Sequence, residues 1–205
     1  ENDPEQQINE LLGKNRIQEA REVFLTRSTK NAENFQLKQK RFNLDAGWCM
    51  LNDGKPEQIL QYFKLTDVDP RELILLFKDL TEKSRTIREH IRQLPSLYLL
   101  DYYNKKFAFP SDPNWDANIK NNEAREAVRD IFELLNKKYL AELRKDEDKT
   151  AEFMYSIFRI DSKSLKTEEP RSLKEILPLV QTALIRLYIE SNKPDSLERV
   201  YEFFN

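Results

Sequence analysis

The sequence predicts an all-α protein, and three observations carry that prediction. Glycine is scarce, with only 3 among 205 residues. A hairpin-rich sheet needs many tight turns, and tight turns recruit glycine for positive φ. Leu, Glu, Lys, Arg, Gln and Ala fill the chain, and these are good helix formers. Apolar residues recur at three- and four-residue spacing along much of it, the period of a helix with one buried face.

The elements follow in order. Residues 4–12 place Ile8, Leu11 and Leu12 on one face, with Pro4 accepted in a first turn and Gly13 as the stop. A second helix over 16–27 gathers Ile17, Ala20, Val23 and Phe24. A longer one runs from Ala32 to Asn52 with Phe35, Phe42, Ala46, Cys49 and Met50, and "NDG" at 52–54 ends it. Pro56 then opens "PEQILQYF". Asp69 as N-cap, Pro70 at the first helical position and Glu72 in the first turn start a helix over "LILLF", residues 73–77. That run is apolar nearly all round, as a helix packed on several sides must be. A short buried strand is the alternative.

Residues 84–94 read as helix. Residues 95–121 are irregular, rich in aromatics and punctuated by Pro95, Pro110 and Pro113, with short helices and a loop expected over 104–121. The longest helix falls on 122–145, its face traced by Ala124, Val128, Ile131, Leu134, Leu135, Lys138 and Leu143. "KDEDK" at 145–149 breaks it, "TAEFMYSIF" from Thr150 reads as a short helix, and 161–171 as a mobile loop. Ser172 and Glu175 have capping-box spacing ahead of Leu173, Ile176, Leu177, Val180, Leu184, Leu187 and Tyr188. Pro178 means that this helix either kinks or starts near Leu177. A last helix covers 195–204.

Three windows align without gaps: "NRIQEAREVF" at 15–24, "GKPEQILQYF" at 54–63 and "NKPDSLERVY" at 192–201. Asn or Gly closes one helix, the following positions open the next, and residues i and i+4 (Ala20 and Phe24, Ile59 and Phe63, Leu197 and Tyr201) face a partner helix. The first two windows are one helix–turn–helix unit apart, the scale of a solenoid repeat. Such units must stack to bury their faces. The expected architecture is therefore an α-solenoid of antiparallel helix pairs; an ordinary helical bundle uses the same turn chemistry and stays the alternative. The whole of 1–205 is expected to form one solenoid segment, with repeats over 1–94, an irregular connection over 95–121, and the long helix with further repeats over 122–205.

Candidate chemistry is sparse. His90, the only histidine, lies between Arg88 and Arg92 and reads as a surface or capping residue. Cys49 lies on an apolar helix face and reads as a buried thiol; a lone cysteine gives no disulfide framework and fits a reducing compartment. No glycine-rich phosphate loop, His-Glu-x-x-His or cysteine cluster occurs, and "DEDK" at 146–149 lacks the EF-hand spacing and glycine. The basic sets Lys38, Lys40, Arg41 and Lys83, Arg85, Arg88, Arg92 are interleaved with acids, as on a solvated surface. Tyr98, Tyr102, Tyr103, Phe107 and Phe109 offer either a peptide groove or inter-repeat packing. A net charge of −2 argues against nucleic acid. Apolar runs stop at about five residues, far short of a membrane span. "ENDPEQQINE" is no signal peptide, and a start at Glu1 suggests a piece of a longer protein. No catalytic, cofactor or metal residue is expected.

The segment "AGWCMLNDGKPEQILQYFKLTDVDPRELILLFKDL", residues 46–80, resembles the signature of the vacuolar protein sorting 39 / TGF-β receptor-associated protein family. In that family a turn with a base precedes a helix ending in an aromatic, here Gly54 and Phe63, followed by a pattern matched by Asp69, Pro70, Leu73, Ile74, Leu76, Phe77, Asp79 and Leu80. Residues 124–145 and 179–205 are similar to later family elements, with Thr182, Leu184 and Tyr188 matching and Gln181 in place of an acid. The family continues Asp-Leu-Leu-Pro, where this chain has Thr81 and Glu82. The resemblance implies a clathrin-heavy-chain-type α-solenoid and membership of HOPS or CORVET tethering complexes. It further implies protein partners (other tethering subunits and, through the whole protein, a Rab GTPase) and a cytoplasmic, peripheral place on endosome, vacuole or lysosome membranes. It fixes no partner-contacting residues. A tetratricopeptide-like adaptor for peptide segments is the alternative, and a helical enzyme or lipid-binding domain a third.

Overall fold

The structure is a computed structural model that describes residues 3–27, 32–53, 55–66, 68–76, 85, 87, 105–107, 122–151, 171–191 and 194–202. These residues are mostly helical. Eight helices and one small ladder follow in order: α1 (Pro4–Gly13), α2 (Ile17–Arg27), α3 (Ala32–Asp53), α4 (Pro56–Phe63), α5 (Pro70–Leu76), α6 (Asn122–Lys145), β1 (Thr150–Ala151), β2 (Arg171–Ser172), α7 (Leu173–Ser191) and α8 (Ser196–Glu202). Gly54, Phe77, Asp79, Leu80, His90, Tyr98, Tyr102, Tyr103 and Phe109 lie outside the described residues. So do most of the expected 84–94 helix and most of 95–121.

Local chemistry sets the helix starts. Asp3 accepts a hydrogen bond from the Glu5 N–H and caps α1 ahead of Pro4. Ser172 does the same for α7 through the Lys174 N–H at 3.3 Å. Pro178 lies inside α7, which neither stops nor restarts there. Its missing N–H would have bonded the Lys174 carbonyl, in the first turn of the helix.

The turn between α1 and α2 departs from expectation. Gly13 is still helical, and Asn15 takes the left-handed conformation at φ 59°. The Arg16 N–H donates to the Leu11 carbonyl (2.8 Å) and the Asn15 N–H to that of Leu12 (2.9 Å), the two bonds of a Schellman stop. Asparagine tolerates this region because its short polar side chain is accommodated there. Gly13 serves close approach instead: a Cβ there would lie 2.1 Å from the carbonyl oxygen of Phe107. The Asn15 Nδ2 reaches Asp53 Oδ2 at 2.6 Å, so the α1–α2 turn adjoins the end of α3, where the next helix pair turns.

The main packing pairs are α1 on α2, α3 on α4, α4 on α6, α6 on α7, and α7 on α8; the α4–α6 pair passes over α5 in the sequence. Phe24 of α2 stacks on Phe35 and Phe42 of α3, with ring centroids 5.6 and 5.3 Å apart. Trp48 of α3 meets Phe63 of α4 edge-on at 5.4 Å. Gly47 makes that crossing possible, since a Cβ there would lie 2.4 Å from the Phe63 ring. The α6–α7 seam is antiparallel. Gln181 donates to Asn136 at 3.1 Å, Arg129 lies 4.9 Å over the Tyr188 ring, and Arg125 pairs with Glu190.

Three expectations need correction. The face of α6 is Ala124, Ala127, Val128, Ile131, Phe132, Leu135 and Tyr139, while Leu134 and Lys138 are exposed. This helix packs on both α4 and α7, so its buried arc is wider and rotated. Thr150 and Ala151 form a strand rather than a helix start, pairing antiparallel with Ser172 and Arg171; the remainder of the expected helix and residues 161–170 lie outside the described residues. The third aligned window does not repeat the first two. Ala20, Phe24, Ile59 and Phe63 are buried, but Leu197 and Tyr201 are 66% and 69% exposed. Helix α8 turns Ser196 and Val200 inward instead.

Candidate functional site

Among the described residues of the signature-like segment, the apolar side chains at Ala46, Trp48–Leu51, Ile59, Phe63, Leu73 and Ile74 are in the core. Asp69 Oδ1 accepts from the backbone N–H of Arg71 (3.0 Å) and from its Nε (3.1 Å), while Oδ2 takes Nη2 at 2.8 Å. One carboxylate thus caps α5 and neutralises the arginine of its own first turn, with both side chains buried. Burial of such a pair is tolerable only when the remaining donors and acceptors are occupied. Pro70, Leu73 and Ile74 are buried beside it, and Phe63 is enclosed by α3. Leu76 closes the described part of α5. Helix α5 packs against α6 and α7. The structure therefore brings Phe63, Asp69, Pro70, Leu73 and Ile74 into the interior.

Two of the concave surfaces among the described residues have substantial apolar lining. The first is a cleft of about 420 Å³ among α1, α2 and α3. Leu12, Phe24 and Phe42 supply apolar lining, and Asn9, Arg27, Lys38 and Arg41 polar lining together with Asp3 and Glu5. Asp45 and Lys106 also line it, paired at 2.8 Å with side chains about one-tenth exposed. Lys38 and Arg41 come from one of the basic sets; Lys40 does not line the cleft, and of the other set only Arg85 is described, exposed. Sequence reading missed the Asp45–Lys106 pair because its members are 61 positions apart. Apolar lining beside fixed charges is the general form of a peptide-side-chain site.

The second is an apolar groove of about 390 Å³ between α6 and the turn after α4, lined by Phe63, Val68, Ile131 and Leu135 with Leu65, Leu134, Lys64 and Lys138. Its lips escaped notice because Leu134 fits a helical apolar stripe as well as the core residues do.

Cys49 is buried on α3. Burial, and then the nearby Asp45 carboxylate, push its thiol well above the usual cysteine range. A thiol held protonated is a weak nucleophile. Phe107, the one described member of the aromatic set, is buried against α1. Among the described residues no group of three or more His, Cys, Asp or Glu side chains is placed to hold a metal ion, and no helix is long and apolar enough to cross a membrane. Protein-family models, curated proteins and solved structures give no match to this chain.

Proposed function

We propose that this chain is a non-enzymatic α-solenoid segment of a HOPS- or CORVET-type tethering subunit, acting as a scaffold in vesicle tethering and fusion and in vacuolar or lysosomal sorting. The segment works by spacing partner proteins and presenting helical surfaces to them, on the cytoplasmic side of endosome, vacuole or lysosome membranes. One observation carries the reading: the bond between Asn15 and Asp53, which sets the turns of two successive helix pairs side by side. Stacked repeat units bring equivalent turns into register in this way. The chain of contacts from α3 to α4, α4 to α6, α6 to α7 and α7 to α8 supports it further. So does the first half of α5, buried from Pro70 to Ile74, whose cap matches the family-like pattern.

The test is recovery of tethering-complex core subunits and nucleotide-loaded Rab GTPases by the full-length protein that carries this segment. Loss of core recovery on deleting the segment, with the remainder folded, is the expected result. Failure of the intact protein to recover either core or Rab overturns the reading. A second reading, a tetratricopeptide-like adaptor for peptide segments, is favoured by the α1–α3 cleft, where Asn9, Arg27, Lys38 and Arg41 supply the donors that such adaptors use.

A further inference from the structure

We infer, resting on the peptide-adaptor reading above, that the cleft among α1, α2 and α3 captures a peptide segment that carries a bulky apolar side chain with an acidic residue beside it. Leu12, Phe24 and Phe42 are buried in the wall of the cleft, and half-buried Ile8 joins them. A volume of about 420 Å³ is in the range of pockets that enclose a small ligand, room for one anchoring side chain and its neighbours rather than for a helix. Asn9 lines the same cleft. Its side-chain amide offers donors and an acceptor together, the complement of a main-chain peptide group.

Charge selects among segments. Arg27, Lys38, Arg41 and Lys106 line the cleft against Asp3, Glu5 and Asp45, four cations to three acids. Asp45 is held by Lys106 at 2.8 Å, and Asp3 caps α1 by accepting the Glu5 N–H at 3.2 Å. Arg27, at the end of α2, and Lys38, on α3, are exposed, and neither makes a hydrogen bond or ion pair among the described residues. Two unengaged cations from two helices therefore stand against the single carboxylate of Glu5, and the balance favours an anionic group next to the apolar wall. A polyanion such as a nucleic-acid backbone or a cluster of lipid headgroups fits less well, since Asp3 and Glu5 repel it from the same lining. One carboxylate adjoining one apolar side chain meets both the cations and the wall.

Fluorescence anisotropy on the 205-residue chain tests this with three short labelled peptides. Each has one central phenylalanine, flanked by glutamates in the first, glutamines in the second and lysines in the third. The glutamate peptide is expected to bind about tenfold more tightly than either of the others, and less tightly as salt rises. Arg27→Glu and Lys38→Glu should each weaken it by about fivefold, and the double variant should prefer the lysine peptide. Both positions are exposed, and circular dichroism checks that the variants remain folded. Equal binding of all three peptides, lost on Ile8→Glu in a chain that stays folded, keeps the peptide cleft but overturns the acidic class. Binding of none overturns both. Glutamate-peptide binding indifferent to both charge reversals also overturns the inference, as does capture of phosphatidylserine vesicles in place of the peptides.

Discussion

Gly47→Ala perturbs the crossing of α3 and α4 by a single methyl group. In an unconstrained helix interior this change gains about 1 kcal/mol, because alanine is the better helix former. Here the new Cβ would lie 2.4 and 2.5 Å from two atoms of the Phe63 ring. The ring must retreat by about 1 Å to reach ordinary van der Waals separation. It cannot do so freely, since Phe63 is buried and Trp48 stands edge-on to it at 5.4 Å. Overpacking of this kind costs about 1–3 kcal/mol. The upper half of that range applies where neither helix can shift, leaving a net loss of about 1–2 kcal/mol. Urea denaturation followed by tryptophan fluorescence measures it. A double-mutant cycle with Phe63→Leu isolates the clash, and the two changes should couple by more than about 0.5 kcal/mol, because the smaller side chain makes room. A Gly47→Ala protein as stable as the parent, or strict additivity in the cycle, would refute the reasoning.

Asp69→Ala removes an N-cap and leaves Arg71 buried without its carboxylate; destabilisation of about 3–5 kcal/mol is expected from denaturant midpoints. Cys49 should resist thiol reagents in the native protein and react only on unfolding, and prompt labelling without added denaturant would contradict its burial. Burial, and then Asp130, raise the Glu133 carboxyl above the ordinary glutamate range, while Arg199 pulls the other way. Its folded form therefore holds a proton more tightly than its unfolded form, so this group's stability cost is present at neutral pH and fades as pH falls toward the unfolded value. Relative to Glu133→Gln, the parent should gain stability as pH falls from neutral into the glutamate range; a constant or opposite difference in urea midpoints would exclude this.

What the sequence revealed was mostly local. The caps at Asp69 and Ser172 were legible because each lies within two or three residues of the N–H groups that it serves. The burial of Leu73 and Ile74 was legible in the apolar run that they begin. Features set by distant partners were not. The arc of α6 that is buried depends on α4 and α7 together, so Leu134 was read as core and Tyr139 was passed over. The β1–β2 pairing joins residues about twenty apart through two positions each, too few for a period to register. In the third window Leu197 and Tyr201 keep the spacing of the buried pairs, but burial follows the rotation of α8 against α7, which spacing does not encode. The groove carried no motif, because it is made by the turn after α4 and a helix more than fifty positions later.

The scaffold reading depends on helix pairs that stack in a line rather than close into a ball. Small-angle X-ray scattering tests this most directly, extrapolated to zero concentration so that association between copies does not contribute. A compact globule of 205 residues has a radius of gyration of about 17 Å. The account predicts a clearly larger value and a pair-distance distribution with a long tail. A radius near that of the globule, with a symmetric distribution, would contradict the solenoid and leave a closed helical bundle.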